Sequence, residues 1–143
     1  MKRGIDNLEV RGQSVFVRID ANVPLKDGEI RDDTRLRAVQ PTLDALRARG
    51  ARVILAAHLG RPRGHVDRTL SMAPVATYLS GLLGVDISMA PDSVGPDVSA
   101  LVRRLRDGEI LMLENLRFHP GEERNEPEFA ASLANLADCY IGD

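Results

Sequence analysis

The sequence predicts an α/β fold built on an open, mostly parallel β-sheet with helices on both faces, a three-layer arrangement. Short β-rich runs alternate with longer amphipathic runs about five times along the chain. Residues 52–57 and 109–113 are almost entirely apolar, which is typical of strands that are covered on both faces. Strands that alternate with helices in this way favour parallel pairing through right-handed crossovers.

The first half of the chain contains three predicted strand regions and one helix. An apolar run over residues 14–19 predicts the first strand, and the Asp-Gly pair within residues 25–30 predicts a small hairpin. Residues 52–57 form the next strand. Between the hairpin and this strand, a helix is predicted over residues 34–49, because its apolar residues recur every three or four positions: Leu36, Val39, Leu43 and Leu46.

The ends of that helix carry recognisable signals. Asp32 and Asp33 are both candidates for its N-cap, and Gly50 supplies a stop. Pro41 lies inside the run and is expected to kink or break the helix, because proline lacks the backbone N–H.

The second half continues the alternation. Ser71 is expected to cap a helix that ends near residue 83, and Pro127 is expected to begin a later one. The predicted helices span residues 71–83, 97–106 and 127–136, and the predicted strands span residues 85–89, 109–113 and 139–141.

The composition limits the classes of function. A length of 143 residues suffices for one domain with a hydrophobic core. A formal charge of −2 and an aromatic content of 3% argue against a nucleic-acid partner. The single cysteine, Cys139, is expected to be a small buried hydrophobe in a reducing compartment. No apolar leader or membrane-spanning run is present in the sequence, so we expect a cytoplasmic protein without a membrane partner.

Polar and charged residues follow three of the predicted strands. Ligands of open α/β sheets bind outside the carboxyl ends of the strands, so these residues are candidates for one shared site. Because several are cationic in an acidic protein, they indicate an anionic small molecule. The candidates are Asp20 and Asn22 after the first strand, His58, Gly60, Arg61 and Arg63 after the second, and Glu114, Asn115, Arg117 and His119 after residue 113.

Each candidate also has a simpler interpretation. His58 alone is more typical of a hydrogen-bonded structural histidine, and Arg61 and Arg117 could be solvated or paired with carboxylates. Asp20 could cap a turn. Arg35 lies in the first turn of a helix, where a cation is mildly unfavourable, which hints at an anionic group near it.

The sequence lacks the motifs of several other kinds of site. The sequence contains no GxxxxGK[ST] loop, and no GxGxxG follows a strand. No serine has the context of a nucleophile elbow. His58, His65 and His119 have no diagnostic metal-ligand spacing, so we expect no metal site.

Three longer stretches resemble the signatures of the phosphoglycerate kinase family, in the order in which that family carries them. They are residues 17–24 (VRIDANVP), 58–62 (HLGRP) and 113–122 (LENLRFHPGE). The similarity runs from about residue 5 to the last residue. Ala21 and Gly142 depart from residues that are common in the family at these positions.

This resemblance implies the N-terminal lobe of a bilobed kinase. The family transfers a phosphoryl group reversibly between 1,3-bisphosphoglycerate and ADP in glycolysis, giving 3-phosphoglycerate and ATP. By the matching motifs, Asp20 and Asn22 would orient the hydroxyl and carboxyl end of the substrate, and Arg35 would be the catalytic residue nearest the transferred group. The implied substrate-binding residues are Asp20, Ala21, Asn22, Arg35, His58, Leu59, Gly60, Arg61 and Arg117, of which His58, Arg61 and Arg117 would hold the distal phosphate.

The resemblance also implies what this chain lacks. Residues 1–143 would form an incomplete 3-phosphoglycerate-binding domain. A further substrate arginine and the lobe that binds Mg-ATP or Mg-ADP would lie beyond Asp143. We therefore expect that this chain binds no nucleotide and is inactive alone, and that the full-length enzyme is a monomer. Two alternatives stay open: a free-standing binding module for phosphorylated acids, and a truncation that aggregates through an unpaired strand edge.

Overall fold

The computed structural model describes residues 11–19, 25–26, 29–30, 33–57, 71–116 and 127–142. Each predicted strand and helix is present within two residues of its expected ends. The strands are β1 (Ser14–Arg18), β2 (Leu25–Lys26), β3 (Glu29–Ile30), β4 (Arg52–Ala56), β5 (Ile87–Met89), β6 (Ile110–Met112) and β7 (Cys139–Gly142). The described helices are α1 (Thr34–Ala48), α2 (Ala73–Leu83), α3 (Pro96–Arg104) and α4 (Pro127–Ala134).

Five of the strands form one parallel sheet in the order β5-β6-β4-β1-β7. In the centre, Val15 of β1 is in register with Val53 of β4 on one side and with Cys139 of β7 on the other. The predicted hairpin is a separate two-stranded antiparallel pair, in which Leu25 lies opposite Ile30. The prediction of a mostly parallel open sheet is confirmed.

Helices cover both faces of the sheet, which completes the predicted three layers. Buried residues of α1 and α2 pack with Val15 and Val17, whereas buried residues of α3 and α4 pack with Phe16. The chain crosses the sheet in one direction through α1 and α2, and in the other direction through α3 and α4. Because the face changes together with the direction, all four crossovers have the same hand, as parallel sheets require.

The apolar strands are buried on both sides, as their sequences predict. Val53, Ile54 and Leu55 of β4 are completely inaccessible to solvent. Val53 and Leu55 face α1 and α2, while Ile54 faces α3 and α4. Each such side chain contributes roughly 1.5–3 kcal/mol through removal from water, so the strand pattern supplies much of the stability of both layers.

Helix α1 shows where the local predictions succeed and where one fails. The stripe of Leu36, Val39, Leu43 and Leu46 is buried, and the helix ends just before Gly50, whose φ of 79° is unfavourable for other residues. However, the helix continues through Pro41, so a break at this residue was a wrong prediction. Pro41 lies on the exposed side, where water can replace the missing backbone donor.

Two helix caps and the cysteine differ in detail from their predictions. Asp33 occupies the N-cap position of α1 but makes no side-chain cap, and Asp32 lies outside the described residues. Ser71 accepts a hydrogen bond from the N–H of Ala73 (3.1 Å), although Met72 is the N-cap residue of α2. Cys139 is half-buried rather than buried, because β7 lies at the sheet edge; its Sγ is 3.1 Å from Oε1 of Gln13.

Candidate functional site

Backbone hydrogen bonds continue across the sheet beyond the ends of three neighbouring strands. The N–H of Ile19 donates to the carbonyl of Ala56 (3.0 Å), and the N–H of Leu116 donates to that of Ala57 (3.0 Å). The residues that leave β1, β4 and β6 are therefore held side by side, at what we call the carboxyl edge. The predicted site residues that follow these strand ends lie outside the described residues: Asp20, Ala21, Asn22, His58, Leu59, Gly60, Arg61 and Arg117.

The chain segments that follow the neighbouring strands β4 and β6 lead to opposite faces of the sheet. The chain leaving β4 continues into α2 on one face of the sheet, whereas the chain leaving β6 continues into α4 on the other face. In open α/β sheets, this divergence opens a crevice at the carboxyl edge in which ligands bind. The chain segments that carry His58, Arg61 and Arg117 begin on the two sides of that divergence.

Of the candidate residues, the structure describes Glu114, Asn115 and Arg35, and of these the family resemblance implies a substrate-binding role for Arg35. Arg35 lies in the first turn of α1 and is exposed. The C-terminal end of α1 lies at the opposite edge of the sheet, where the N–H of Gly12 donates to the carbonyl of Gly50 (3.0 Å). Because α1 runs back from the end of β1 to the start of β4, Arg35 lies at the carboxyl edge.

A cluster of three polar side chains joins the start of α1 to α2. Oδ2 of Asp33 accepts a hydrogen bond from the Tyr78 hydroxyl (2.6 Å) and one from Nε of Arg37 (2.6 Å). The hydrogen bond from Tyr78, and then that from Arg37, holds the pKa of Asp33 below its ordinary value. The same contact with Asp33 raises the pKa of Tyr78. At neutral pH the cluster therefore contains a carboxylate, a neutral phenol and a guanidinium ion.

A second carboxylate, Glu114, joins the end of β6 to the start of α2. Its Oε2 accepts from the hydroxyl of Ser71 (2.8 Å), and its Oε1 accepts from the N–H groups of Met72 (2.7 Å) and Asn115 (3.0 Å). Helix α2 has no cap from its own N-cap side chain. Glu114 supplies the negative charge that a helix N-terminus favours, and it holds both sides of the divergence together.

The sequence analysis did not recognise the roles of Tyr78 and Glu114. Glu114 was a candidate for the ligand site and not for a structural contact, and Tyr78 lies on α2 at a half-buried position with no distinguishing motif. The Asp33 contact with Tyr78 spans 45 residues and the Glu114 contact with Ser71 spans 43, so no local pattern could pair them. Both contacts organise the carboxyl edge around the segments that carry the predicted arginines.

The described residues offer neither a candidate metal site nor a membrane-spanning helix. Among the residues that the structure describes, no three His, Cys, Asp or Glu side chains lie together as a candidate metal site. Within the same residues, no helix is long and apolar enough to cross a membrane.

The profile of the family described as phosphoglycerate kinase matches residues 5–143. The chain belongs to this family. It is 55% identical over 141 residues to the phosphoglycerate kinase of Thermomicrobium roseum, and 51% identical over 144 residues to that of Desulforudis audaxviator. These alignments cover 99% and 100% of this chain but only 36% and 37% of the two relatives. The chain thus spans a little over one third of the length of these curated relatives.

Solved phosphoglycerate kinases have the same fold. The enzyme from Pyrococcus horikoshii OT3 superposes with a TM-score of 0.84 at 31% sequence identity, over 96% of this chain and 35% of that chain. The enzyme from Coxiella burnetii superposes with a TM-score of 0.85 at 33% identity, over 96% of this chain and 34% of the other. The five-stranded parallel sheet with helices on both faces is therefore a phosphoglycerate kinase fold.

Proposed function

We propose that this chain is the acid-substrate-binding part of a phosphoglycerate kinase, which transfers a phosphoryl group between 1,3-bisphosphoglycerate and ADP in glycolysis. Its membership of the phosphoglycerate kinase family carries the proposal. The family-like motifs support it, because they follow β1, β4 and β6, whose ends are adjacent at the carboxyl edge. The ligands would be 3-phosphoglycerate and 1,3-bisphosphoglycerate.

The reaction is a phosphotransfer that has a carboxyl group as acceptor in the ATP-consuming direction. In the ATP-forming direction, an oxygen of the β-phosphate of ADP attacks the phosphorus of the acyl phosphate. The bond between that phosphorus and the carboxyl oxygen breaks, and the electron pair stays on the released carboxylate. The protein needs to position the groups and to stabilise spread negative charge, rather than to form a covalent bond.

Arg35 would supply the charge nearest the transferred phosphoryl group. A single donor directed at developing negative charge lowers an activation barrier by roughly 3–4 kcal/mol. The position of Arg35 at the start of α1, exposed at the carboxyl edge, supports this role. Asp20 and Asn22 would orient the hydroxyl and carboxyl end of the acid, with Ala21 between them.

The distal phosphate would be bound by His58, Arg61 and Arg117, beside Leu59 and Gly60. Arginine can contact two phosphate oxygens at once, which lysine cannot do with the same geometry. The divergence of the chain between β4 and β6 supports this assignment, since Arg61 and Arg117 follow those two strands.

The second substrate, Mg-ADP or Mg-ATP, would be bound by residues other than those of this chain. The domain represented by residues 1–143 would then be an incomplete substrate-binding domain without kinase activity of its own. We also propose that the complete enzyme is a cytoplasmic monomer. ATP formation from 1,3-bisphosphoglycerate and ADP by the purified chain would contradict the proposed inactivity.

The first experiment is calorimetric titration of the purified chain with 3-phosphoglycerate at low salt. We expect saturable binding that Arg61→Ala weakens by about 10- to 100-fold, because a charged contact with the phosphate is lost. Arg104→Ala is the matched control, since Arg104 is exposed in the last turn of α3, at the opposite edge of the sheet.

Three results would decide between the assignments. A loss in Arg61→Ala with no change in Arg104→Ala would support the phosphate site. Equal losses in both variants would indicate attraction to overall charge rather than a site. Absence of binding by a chain with native circular dichroism would contradict a preformed acid site in residues 1–143.

A further inference from the structure

The Asp33 carboxylate is not used in the way its position predicts. An aspartate at the N-cap normally accepts a hydrogen bond from the backbone N–H of the second or third helical residue. Asp33 makes no such bond. Instead, its Oδ2 accepts from Tyr78 on α2 and from Arg37 one turn further along α1, each at 2.6 Å.

Arg35 lies between the two α1 residues of this cluster. Asp33 precedes it by two residues and Arg37 follows it by two, so the backbone that carries Arg35 is held at both ends. Through Tyr78, the same turn is attached to α2. The start of α2 is in turn attached to the end of β6 by Glu114, which accepts from the N–H of Met72 (2.7 Å).

We propose that the hydrogen bond between Tyr78 and Asp33 is a positioning contact for Arg35. It holds the first turn of α1 at a set distance from α2, so that the Arg35 guanidinium projects to the carboxyl end of a substrate whose phosphate lies between β4 and β6. This inference rests on the proposed function, because it assumes that an anionic acid binds at the carboxyl edge. Tyr78 is a positioning residue and does not contact the substrate.

Other contacts between α1 and α2 do not involve the Tyr78 hydroxyl, so its effect on Arg35 can be tested apart from the packing of the two helices. Nε2 of Gln40 donates to the carbonyl of Leu82 (3.3 Å), and apolar residues of α1 and α2, including Val39 and Leu79, pack in one core cluster. These contacts remain when the Tyr78 hydroxyl is removed. We therefore expect loss of the hydroxyl to leave the two helices packed together and to free only the first turn of α1 from its contact with α2.

The ionisation states of the pair are compatible with this role at neutral pH. The pKa of Asp33 is lowered, chiefly by the hydrogen bond from Tyr78, and the pKa of Tyr78 is raised, chiefly by the hydrogen bond to Asp33. Among the residues that the structure describes, the charged side chain that acts on the pair is Arg37, which is 62% exposed. A neutral phenol thus donates to a carboxylate throughout the neutral range.

The test compares two ligands that differ at the group Arg35 would contact. Glycerol 3-phosphate has the phosphate of 3-phosphoglycerate but a hydroxymethyl group in place of the carboxylate. We expect Tyr78→Phe to weaken binding of 3-phosphoglycerate to this chain by about 3- to 10-fold, and to leave binding of glycerol 3-phosphate unchanged. Thr77→Val is the matched control, because Thr77 is the exposed neighbour on α2.

A double-mutant cycle makes the assignment to Arg35 specific. In an Arg35→Ala background, Tyr78→Phe should cause no further loss of affinity for 3-phosphoglycerate, since the group that it positions is gone. Equal loss for both ligands would overturn the inference in favour of a purely structural role. Fully additive losses in the cycle would also overturn it.

Amide hydrogen exchange tests the contact without a ligand. The N–H of Arg37 donates to the carbonyl of Asp33 (2.9 Å), so helical hydrogen bonds protect the amides from this residue onward. Tyr78→Phe should accelerate exchange at residues 37–39 relative to residues 43–46 of the same helix, and unchanged exchange would overturn the inference. If the wild-type chain binds both ligands and Tyr78→Phe binds each with the wild-type affinity, the positioning role fails while the proposed function stands. If the wild-type chain binds neither ligand, the proposed acid site in residues 1–143 is contradicted, and the inference fails with it.

Discussion

The two edges of the parallel sheet differ in the charged side chains that lie beside the helix ends. At the carboxyl edge, two carboxylates make the structural contacts: Asp33 accepts from Tyr78, and Glu114 accepts from Met72. At the amino edge, where the strands begin, Arg47 lies in the last turn of α1. Nε of Arg47 donates to the carbonyl of Gly108 (3.0 Å), in the turn that precedes β6. The carboxylates of Asp138 and Glu109 also accept backbone hydrogen bonds at this edge.

The direction of the helices explains this difference. Each crossover helix begins at the carboxyl edge and ends at the amino edge, so the partial positive charge of its N-terminus always lies at the carboxyl edge. Protein carboxylates are stabilised there, and arginines are stabilised at the opposite end. The same polarity would favour an anionic ligand at the carboxyl edge over one at the amino edge.

The N-termini of α1 and α2 alone would make a poor phosphate site. Asp33 lies at the start of α1 and Glu114 at the start of α2, so both positive ends already have a carboxylate beside them. A phosphorylated acid therefore needs additional cations. The predicted arginines, Arg35, Arg61 and Arg117, would supply them.

The largest effect is expected from removal of Glu114. Glu114→Ala removes the acceptor of three hydrogen bonds and should lower the free energy of unfolding by about 2–3 kcal/mol, because these donors contact a charged group. Urea denaturation followed by circular dichroism measures the change. Asp107→Ala at the amino edge is the control, with a much smaller expected loss. Equal stability of Glu114→Ala and the wild type would contradict the structural role of Glu114.

The next effect concerns the amino edge. Arg47→Met keeps the aliphatic part of the side chain but removes the donor to Gly108, and it should cost about 1 kcal/mol of unfolding free energy. It should leave the affinity for 3-phosphoglycerate unchanged, because Arg47 lies at the edge opposite the predicted site. A loss of affinity as large as that of Arg61→Ala would remove the functional distinction between the two edges.

Most of the fold could be predicted from the sequence, because its determinants are local. The apolar run of β4 and the three-to-four spacing of Leu36, Val39 and Leu43 require no knowledge of partners. Whether the helix would continue through Pro41 was left open, since it depends on which side of the helix the proline occupies.

The site could be predicted less completely, and for a physical reason. Motifs point to residues that we propose contact a ligand, such as Arg35, because the ligand dictates their chemistry. The contacts that hold those residues in place are between distant parts of the chain, as between Tyr78 and Asp33, and depend on how α1 and α2 pack. No spacing rule relates the two residues before the fold is known.

A smaller effect is expected from pH at the carboxyl edge. The lowered pKa of Asp33 means that its contribution to stability is present above its ordinary pKa of about 4 and is lost as the pH falls through the still lower folded value. The raised pKa of Tyr78 means that its contribution is present below about pH 10 and is lost as the pH rises through the higher folded value. The wild type should therefore melt at a higher temperature than Tyr78→Phe at neutral pH, and this difference should vanish in strong acid. A difference that does not decrease as the pH falls into the acid range would contradict the charged contact.

The smallest effect is expected from the ion pair between Arg52 and Asp107. Nε of Arg52 lies 3.1 Å from Oδ1 of Asp107, but the side chains are 34% and 47% exposed, so water and salt screen their attraction. A double-mutant cycle of Arg52→Gln and Asp107→Asn should give a coupling energy of about 0.5 kcal/mol or less, which salt should reduce further. A coupling as large as the loss in Glu114→Ala would mean that exposed pairs stabilise the amino edge as strongly as a carboxylate at a helix start stabilises the carboxyl edge. The difference between the edges would then lie only in the sign of the charges, and helix polarity would no longer account for the strength of the Glu114 contacts.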